Sequence, residues 1–297
     1  MPGREGMARS SFRTIAILTL LPIAGFLAFL LLAFTRRVAP LHLDAAQLIP
    51  KPLEDRPSRL SEKPEKTGQA GWPVLQKKAG PSIVIIIDDV GYDGQDLTWA
   101  MSIDPNLNFA ILPNSTRAPE VDRRLNDRGF EILCHLPMEP RDHTVSPGAN
   151  AVKTSMSDDE IFLATRANIA AVPHARGVNN HMGSRATADR RVMTDVMRAL
   201  PDGMYFIDSR TGGGSVAAAV AREMNVKTAA RHVFLDDVQT EAGVRRQLAT
   251  LSSAARAKGA AIGIGHPHEV TLRVLAAEVP KLRARGFRFA RASEVVR

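Results

Sequence analysis

The stretch SIVIIIDDVGYDG, Ser82 to Gly94, constrains the fold more than any other part of the chain. Five β-branched residues, Ile83 to Ile87, run straight into Asp88 and Asp89, and Gly91 follows. A continuous apolar run closed by a glycine turn fits a strand buried on both faces, which belongs in a parallel sheet covered by helices. Strands of such sheets end at the face where α/β proteins place their ligands. Two adjacent carboxylates there are either solvated loop residues or part of a site.

From residue 81 onward, apolar runs alternate with amphipathic stretches. The runs predict strands over Ser82–Ile87, Leu107–Leu112, Phe130–Cys134, Arg176–Asn179, Met204–Ile207, His232–Leu235, Ala260–Ile264 and Phe287–Ala290. APEVDRRLNDRG, SDDEIFLATRANIAAV, ADRRVMTDVMRALPDG and TEAGVRRQLATLSSAARAKG between them read as helices. Ser157 or Ser155 supplies an N-cap in SMSDDE, with acids in the first turn. Strand–helix alternation gives a parallel sheet, open or closed. The number of units predicts an irregular (β/α) barrel of about seven parallel strands, closed or nearly so, over residues 81–297.

Before the domain, Ile15 to Phe34 is twenty residues without a charge. That length crosses a bilayer core of about 30 Å at about 1.5 Å per residue. Arg4, Arg9 and Arg13 precede it, and no small-residue cleavage site follows in LLAFTRRVAP. The expectation is an uncleaved signal anchor at 15–34, with a cytoplasmic tail at 1–14. Residues 35–80, rich in proline and charge, read as a linker. The domain is then expected in the periplasm, tethered to the inner membrane. Cutting the anchor would give a secreted form.

The formal charge of +8 is concentrated in this leading segment. Residues 1–80 hold 12 Lys/Arg against 6 Asp/Glu, whereas 81–297 hold 27 against 25. The basicity therefore speaks for membrane topology, and no nucleic-acid partner is expected. Cys134 is the single cysteine, so no intramolecular disulfide forms, and its place in a strand reads as core.

Polar residues recur at the strand ends: Asp88 and Asp89, His135, His181, Asp208, Asp236 and Asp237, then His266 and His268. In a parallel sheet these all meet at one rim, and four of the eight histidines fall there. Imidazole and carboxylate together suit zinc or another divalent ion. Metal-free acid/base chemistry is the alternative. Adjacent Asp88 and Asp89 favour the metal, because a cation relieves their repulsion. His143, His174 and His232 read as loop or strand-start residues.

IIIDDVGYDG, GFEILCHLPMEP, GVNNHMGSRAT, MYFIDSRT and AIGIGHPHE, in this order, resemble the divergent polysaccharide deacetylases (YibQ-type), distant relatives of the NodB-type carbohydrate esterases. The resemblance spans about residues 81–296 and implies a NodB-like barrel. It also implies a divalent metal, expected to be zinc, and a hydrolase removing N- or O-acetyl groups from an envelope polysaccharide or peptidoglycan. By that likeness Asp88 is the base, Asp89 a metal ligand, His135 a second ligand, and His266 or His268 the acid oriented by Asp208. The family's second motif carries another histidine four residues after the first. Here Glu139 stands at that position, and His181 is the substitute ligand. Glu139, Asn180 and Arg185 are expected at the substrate, with Asn179 there or behind the ligands. The departure from the family pattern leaves open a catalytically silent metal- or glycan-binding module tethered to the membrane.

Overall fold

The computed structural model describes residues 80–297. The expected cytoplasmic tail and membrane anchor, and all of the linker except Gly80, lie outside the described residues. Among the described residues no helix is long and apolar enough to cross a membrane.

Nine parallel strand segments form one sheet: β1 Ser82–Val90, β2 Asn108–Ile111, β3 Glu131–Met138, β4 Gly177–Met182, β5 Tyr205–Asp208, β6 Thr228–Ala230, β7 Val233–Phe234, β8 Ala260–Gly265 and β9 Arg288–Phe289. Their order is β6-β5-β4-β3-β2-β1-β8-β7, with β9 also paired to β1. Seven helices fill the crossovers: α1 Leu97–Ile103, α2 Ala118–Asp127, α3 Asp158–Ala170, α4 Arg190–Ala199, α5 Ala217–Glu223, α6 Glu241–Lys258 and α7 Glu269–Ala284. Ser157 caps α3 in a full capping box with Glu160.

The expected barrel is only partly closed. β6 and β7 are the two ends of the sheet, yet only Arg231 and His232 separate them in the chain. The Arg231 amide donates to the Asp208 carbonyl at the end of β5, at 2.9 Å. The next amide, of His232, donates to the Ile262 carbonyl of β8, also at 2.9 Å. Two successive amides thus tie the two ends of the sheet together, and the curled sheet has a seam there instead of a continuous ladder. β6 escapes the sequence pattern because Thr228–Ala230 carries no apolar run.

Strand alternation sorts the core into two clusters. On β1, Ile83, Ile85 and Ile87 pack under the helices, while Val84 and Ile86 join Leu133, Tyr205, Ile207, Ile262 and Ile264 inside the curl. Ala290 and Ala292 fill the inner face beside them. Within this face Gly177 sits in register with Tyr205, whose hydroxyl donates to Glu131 at 2.7 Å. A Cβ at Gly177 would lie 2.3 Å from the Tyr205 ring, which is buried and held by that bond. Gly177→Ala is therefore expected to cost about 1–3 kcal/mol, read as a lowered midpoint in denaturant. An unchanged midpoint would mean that the ring moves freely.

Candidate active site

The inner-face alternation decides which rim residues meet. Asp88 continues the series Val84, Ile86 and faces inward, where Asp89 alone would face the helices. The β1–β2 register shifts between Ile87 and Val90, and Asp89 adopts a left-handed backbone with φ 55°. This bulge turns Asp89 round to share the rim with Asp88. Gln95 braces the turn: its amide donates to the Asp89 carbonyl at 2.6 Å, and its oxygen accepts from the Gly91 and Tyr92 amides.

β3 and β4 bring in the imidazoles. His135 pairs in register with Asn179, and Pro137 with His181, so both histidines share the inner face. His181 Nδ1 lies 2.8 Å from Asp89 Oδ1, His135 Nε2 lies 3.2 Å from it, and the two nitrogens are 3.2 Å apart. Bonds of roughly 2.0–2.1 Å at tetrahedral angles would set neighbouring zinc ligands about 3.3 Å apart. Asp89 Oδ1 is buried and makes no well-aligned hydrogen bond. An orphaned carboxylate oxygen facing two imidazole nitrogens fits a cation held by all three residues.

Asn179 orders the layer behind. Its Oδ1 lies 2.9 Å from His135 Nδ1, which leaves Nε2 to face the cluster, and its Nδ2 donates to Asp88 Oδ1 at 2.8 Å. Asp88 is 3% exposed and 3.6 Å from His135 Nε2. Burial pushes the Asp88 carboxyl up. Burial also acts to raise Asp89, but His135 and His181 outweigh it and hold that carboxyl far below the usual range. His135 is raised: burial opposes its charge, and Asp88 and Asp89 outweigh burial. The rim is thus an acidic field that draws positive charge to itself.

Opposite stands His266, with Nε2 3.7 Å from Asp89 Oδ2. Its backbone amide donates to Asp236 Oδ2 at 2.6 Å, and its Nδ1 lies 3.1 Å from Asp236 Oδ1. Burial lowers its pKa, but Asp236 overrides this and raises it to about 9. His266 therefore carries a proton at neutral pH. Asp236, His266 and His268 also cluster, and Thr271 donates to Asp236 Oδ2 at 2.9 Å. That carboxylate is an orienting group.

Five expected residues have other work. Asp208 follows Phe206 on the helix-facing side of β5 and never reaches His266. It accepts from the Arg210 amide and from Ser215 Oγ, both at 2.9 Å, and Asp236 holds the orienting place instead. His268 precedes α7 and lies 3.1 Å from Gln239, so His266 is the histidine at the rim. Glu139 accepts from Thr154 N and Oγ1 at 2.7 Å, and Arg185 lies between Glu139 and His143; neither lines the cleft. Asn180 does line it, but its amide donates to the Met182 carbonyl and its oxygen accepts from the Ser209 amide. The single cysteine, Cys134, is fully buried, and burial pushes its thiol up, as a core residue requires. Asn179 lies behind His135, one of the two places the sequence offered for it, while Asp236 and Gln95 carry roles that motif reading gave elsewhere or left blank.

The cleft measures about 580 Å³. Phe234, Val145, Pro140 and Met182 give it apolar walls around the charged floor.

A family description of divergent polysaccharide deacetylases matches residues 85–296. The chain belongs to the divergent polysaccharide deacetylase family. It is 40% identical over 204 residues to the uncharacterized protein YibQ of Escherichia coli K12, spanning 68% of this chain and 62% of that protein. An uncharacterized protein of Haemophilus influenzae is 38% identical over 206 residues, spanning 69% of this chain and 73% of its own length. The crystal structure of an uncharacterized protein from Agrobacterium tumefaciens C58 shares the fold, with TM-score 0.69 and 21% identity, covering 74% of this chain and 91% of that one.

Proposed function

We propose that this deacetylase-family domain removes acetyl groups from an acetylated polysaccharide of the cell envelope, using a divalent ion, zinc by its donor set. The observation that carries the reading is the orphaned Asp89 oxygen set against His135 and His181. When bound, such an ion supplies Lewis acidity and lowers the pKa of water to about 7.

The chain's own residues supply the rest. Asp88, buried and steadied by Asn179, accepts a proton from the attacking water. His266, protonated at neutral pH and held by Asp236, gives its proton to the departing amine or hydroxyl. Phe234 and Val145 offer apolar surface to a sugar ring. His181 brings a second imidazole to the place where the sequence pattern lacks one, which supports a complete ligand set. The run Ile15–Phe34 would tether the domain at the inner membrane, facing the periplasm.

The full-length protein is expected to co-purify with about one zinc per chain, measured by elemental analysis. His135→Ala and His181→Ala should each release it. Occupancy unchanged by both substitutions would sink the ligand assignment. Wild-type protein should release acetate from acetylated chito-oligosaccharides or peptidoglycan, and a metal-loaded enzyme inert on all of them would favour a silent binding module.

A further inference from the structure

Beside the cleft a second cavity, of about 710 Å³, follows the seam between β6 and β7. Six cationic residues line it: Arg210, Arg222, Lys227, Arg231, Lys258 and Arg297. No aspartate or glutamate lines it. The domain as a whole is nearly balanced, with 27 basic against 25 acidic residues over 81–297, so the seam concentrates charge that the fold neutralises elsewhere. Arg190, Arg191 and Arg283 show the contrast, each reaching a carboxylate within 2.5–2.8 Å. His232 in the seam has its pKa lowered by burial and then by Lys258 and Arg210, as a positive surrounding demands.

The groove continues the cleft. Arg210 and Arg231 line both cavities. Arg231 is fixed there, with Nε donating to the Ser209 carbonyl at 2.6 Å and Nη2 to the Arg210 carbonyl at 2.8 Å. Its guanidinium also stacks over Phe234, 4.9 Å from the ring centre. Lys227, Lys258, Arg222 and Arg297 are exposed farther along the seam. A row of cations leading away from a hydrolytic cleft suits a chain ligand bearing repeated acidic groups.

We infer that the seam groove binds the acidic groups of a polyanionic glycan, neighbouring sugars of the chain whose acetylated unit lies in the cleft. This deepens the deacetylase reading and rests on it for the ligand being a glycan. The carboxylate or phosphate of each acidic sugar would pair with the lysines and arginines, and the positive field would also speed capture.

The test uses the full-length chain and a double variant, Lys227→Glu with Lys258→Glu. Both side chains are exposed, so the fold should survive, and an unchanged melting temperature checks this. Labelled oligogalacturonate carries the acid as carboxylate and labelled phosphomannan carries it as phosphate. The double variant should bind at least one of them about tenfold or more weakly, and added salt should weaken wild-type binding. An uncharged chito-oligosaccharide should bind both proteins alike. Equal affinity of the two proteins for both acidic probes would overturn the proposal. So would a loss confined to phosphatidylglycerol vesicles, which would make the seam a lipid-facing patch. Asp89→Asn separates this reading from the hydrolytic one, because it should stop acetate release and leave oligogalacturonate binding intact. Charge-sensitive glycan binding without acetate release from any substrate would end the hydrolytic reading alone. Acetate release without charge-sensitive binding would end the groove reading alone.

Discussion

Replacing Asp88 with asparagine is expected to slow acetate release by about 10²–10⁴-fold while zinc content and melting temperature stay near wild type. The substitution keeps the shape and the hydrogen bond from Asn179, and it removes only the group that takes a proton. Burial raises the affinity of the Asp88 carboxylate for a proton, which suits a base and not a permanently charged bystander. Asp89, although adjacent, is held charged by two imidazoles and cannot take over. The measurement is kcat/KM on an acetylated chito-oligosaccharide, with bound zinc determined on the same samples. A rate within a few-fold of wild type would remove Asp88 from the mechanism. Lost zinc would recast it as a ligand.

The second large effect is expected at Asn179, which touches both halves of the chemistry. Asn179→Ala removes the acceptor of His135 Nδ1 and the donor to Asp88 Oδ1 in one change. Zinc affinity should fall by about 10–100-fold, the usual penalty for losing the partner of a ligating histidine, and turnover should fall with it. Asn179→Asp divides the two roles. An aspartate there still accepts from His135 but repels Asp88, so zinc binding should largely survive while kcat drops. Zinc binding lost equally in both variants would mean that the acceptor at His135 Nδ1 is not what holds the ligand in place. Chelator titration of zinc release and steady-state kinetics give the two readouts.

Much of this arrangement was legible from the strands alone. Every predicted strand is present, because long β-branched or apolar runs leave little choice once helices cover the outer face and the curled sheet closes over the inner one. The rim of acids and histidines was legible for the same reason: parallel strands end together. What motif spacing misassigned, strand parity corrects. Counting in twos from Ile86, Leu133 and Ile264 reaches Asp88, His135 and His266 on the inner face. The same count from Phe206 puts Asp208 outside, beneath the helices. Asp236 was visible as a strand-end acid, but only its contact with the His266 amide and ring gives it the orienting role. The turn of Asp89 could not be read, since a bulge depends on the β1–β2 register and on Gln95 reaching back to it. β6 was equally hidden, because its three small residues become a strand only by lying against β5.

The Arg231–His232 step at the seam also sets one wall of the cleft. Its two amides are committed to carbonyls on opposite sheet edges, so that wall behaves as a fixed jamb and cannot swing outward without breaking both bonds. The facing wall is built differently: Pro140, Asp142 and Val145 belong to the connection between β3 and α3, held by backbone bonds of Glu139 and Val152 and by Arg141 bonding to Ser184. On the glycan reading, a bound chain would therefore have the seam as its fixed side.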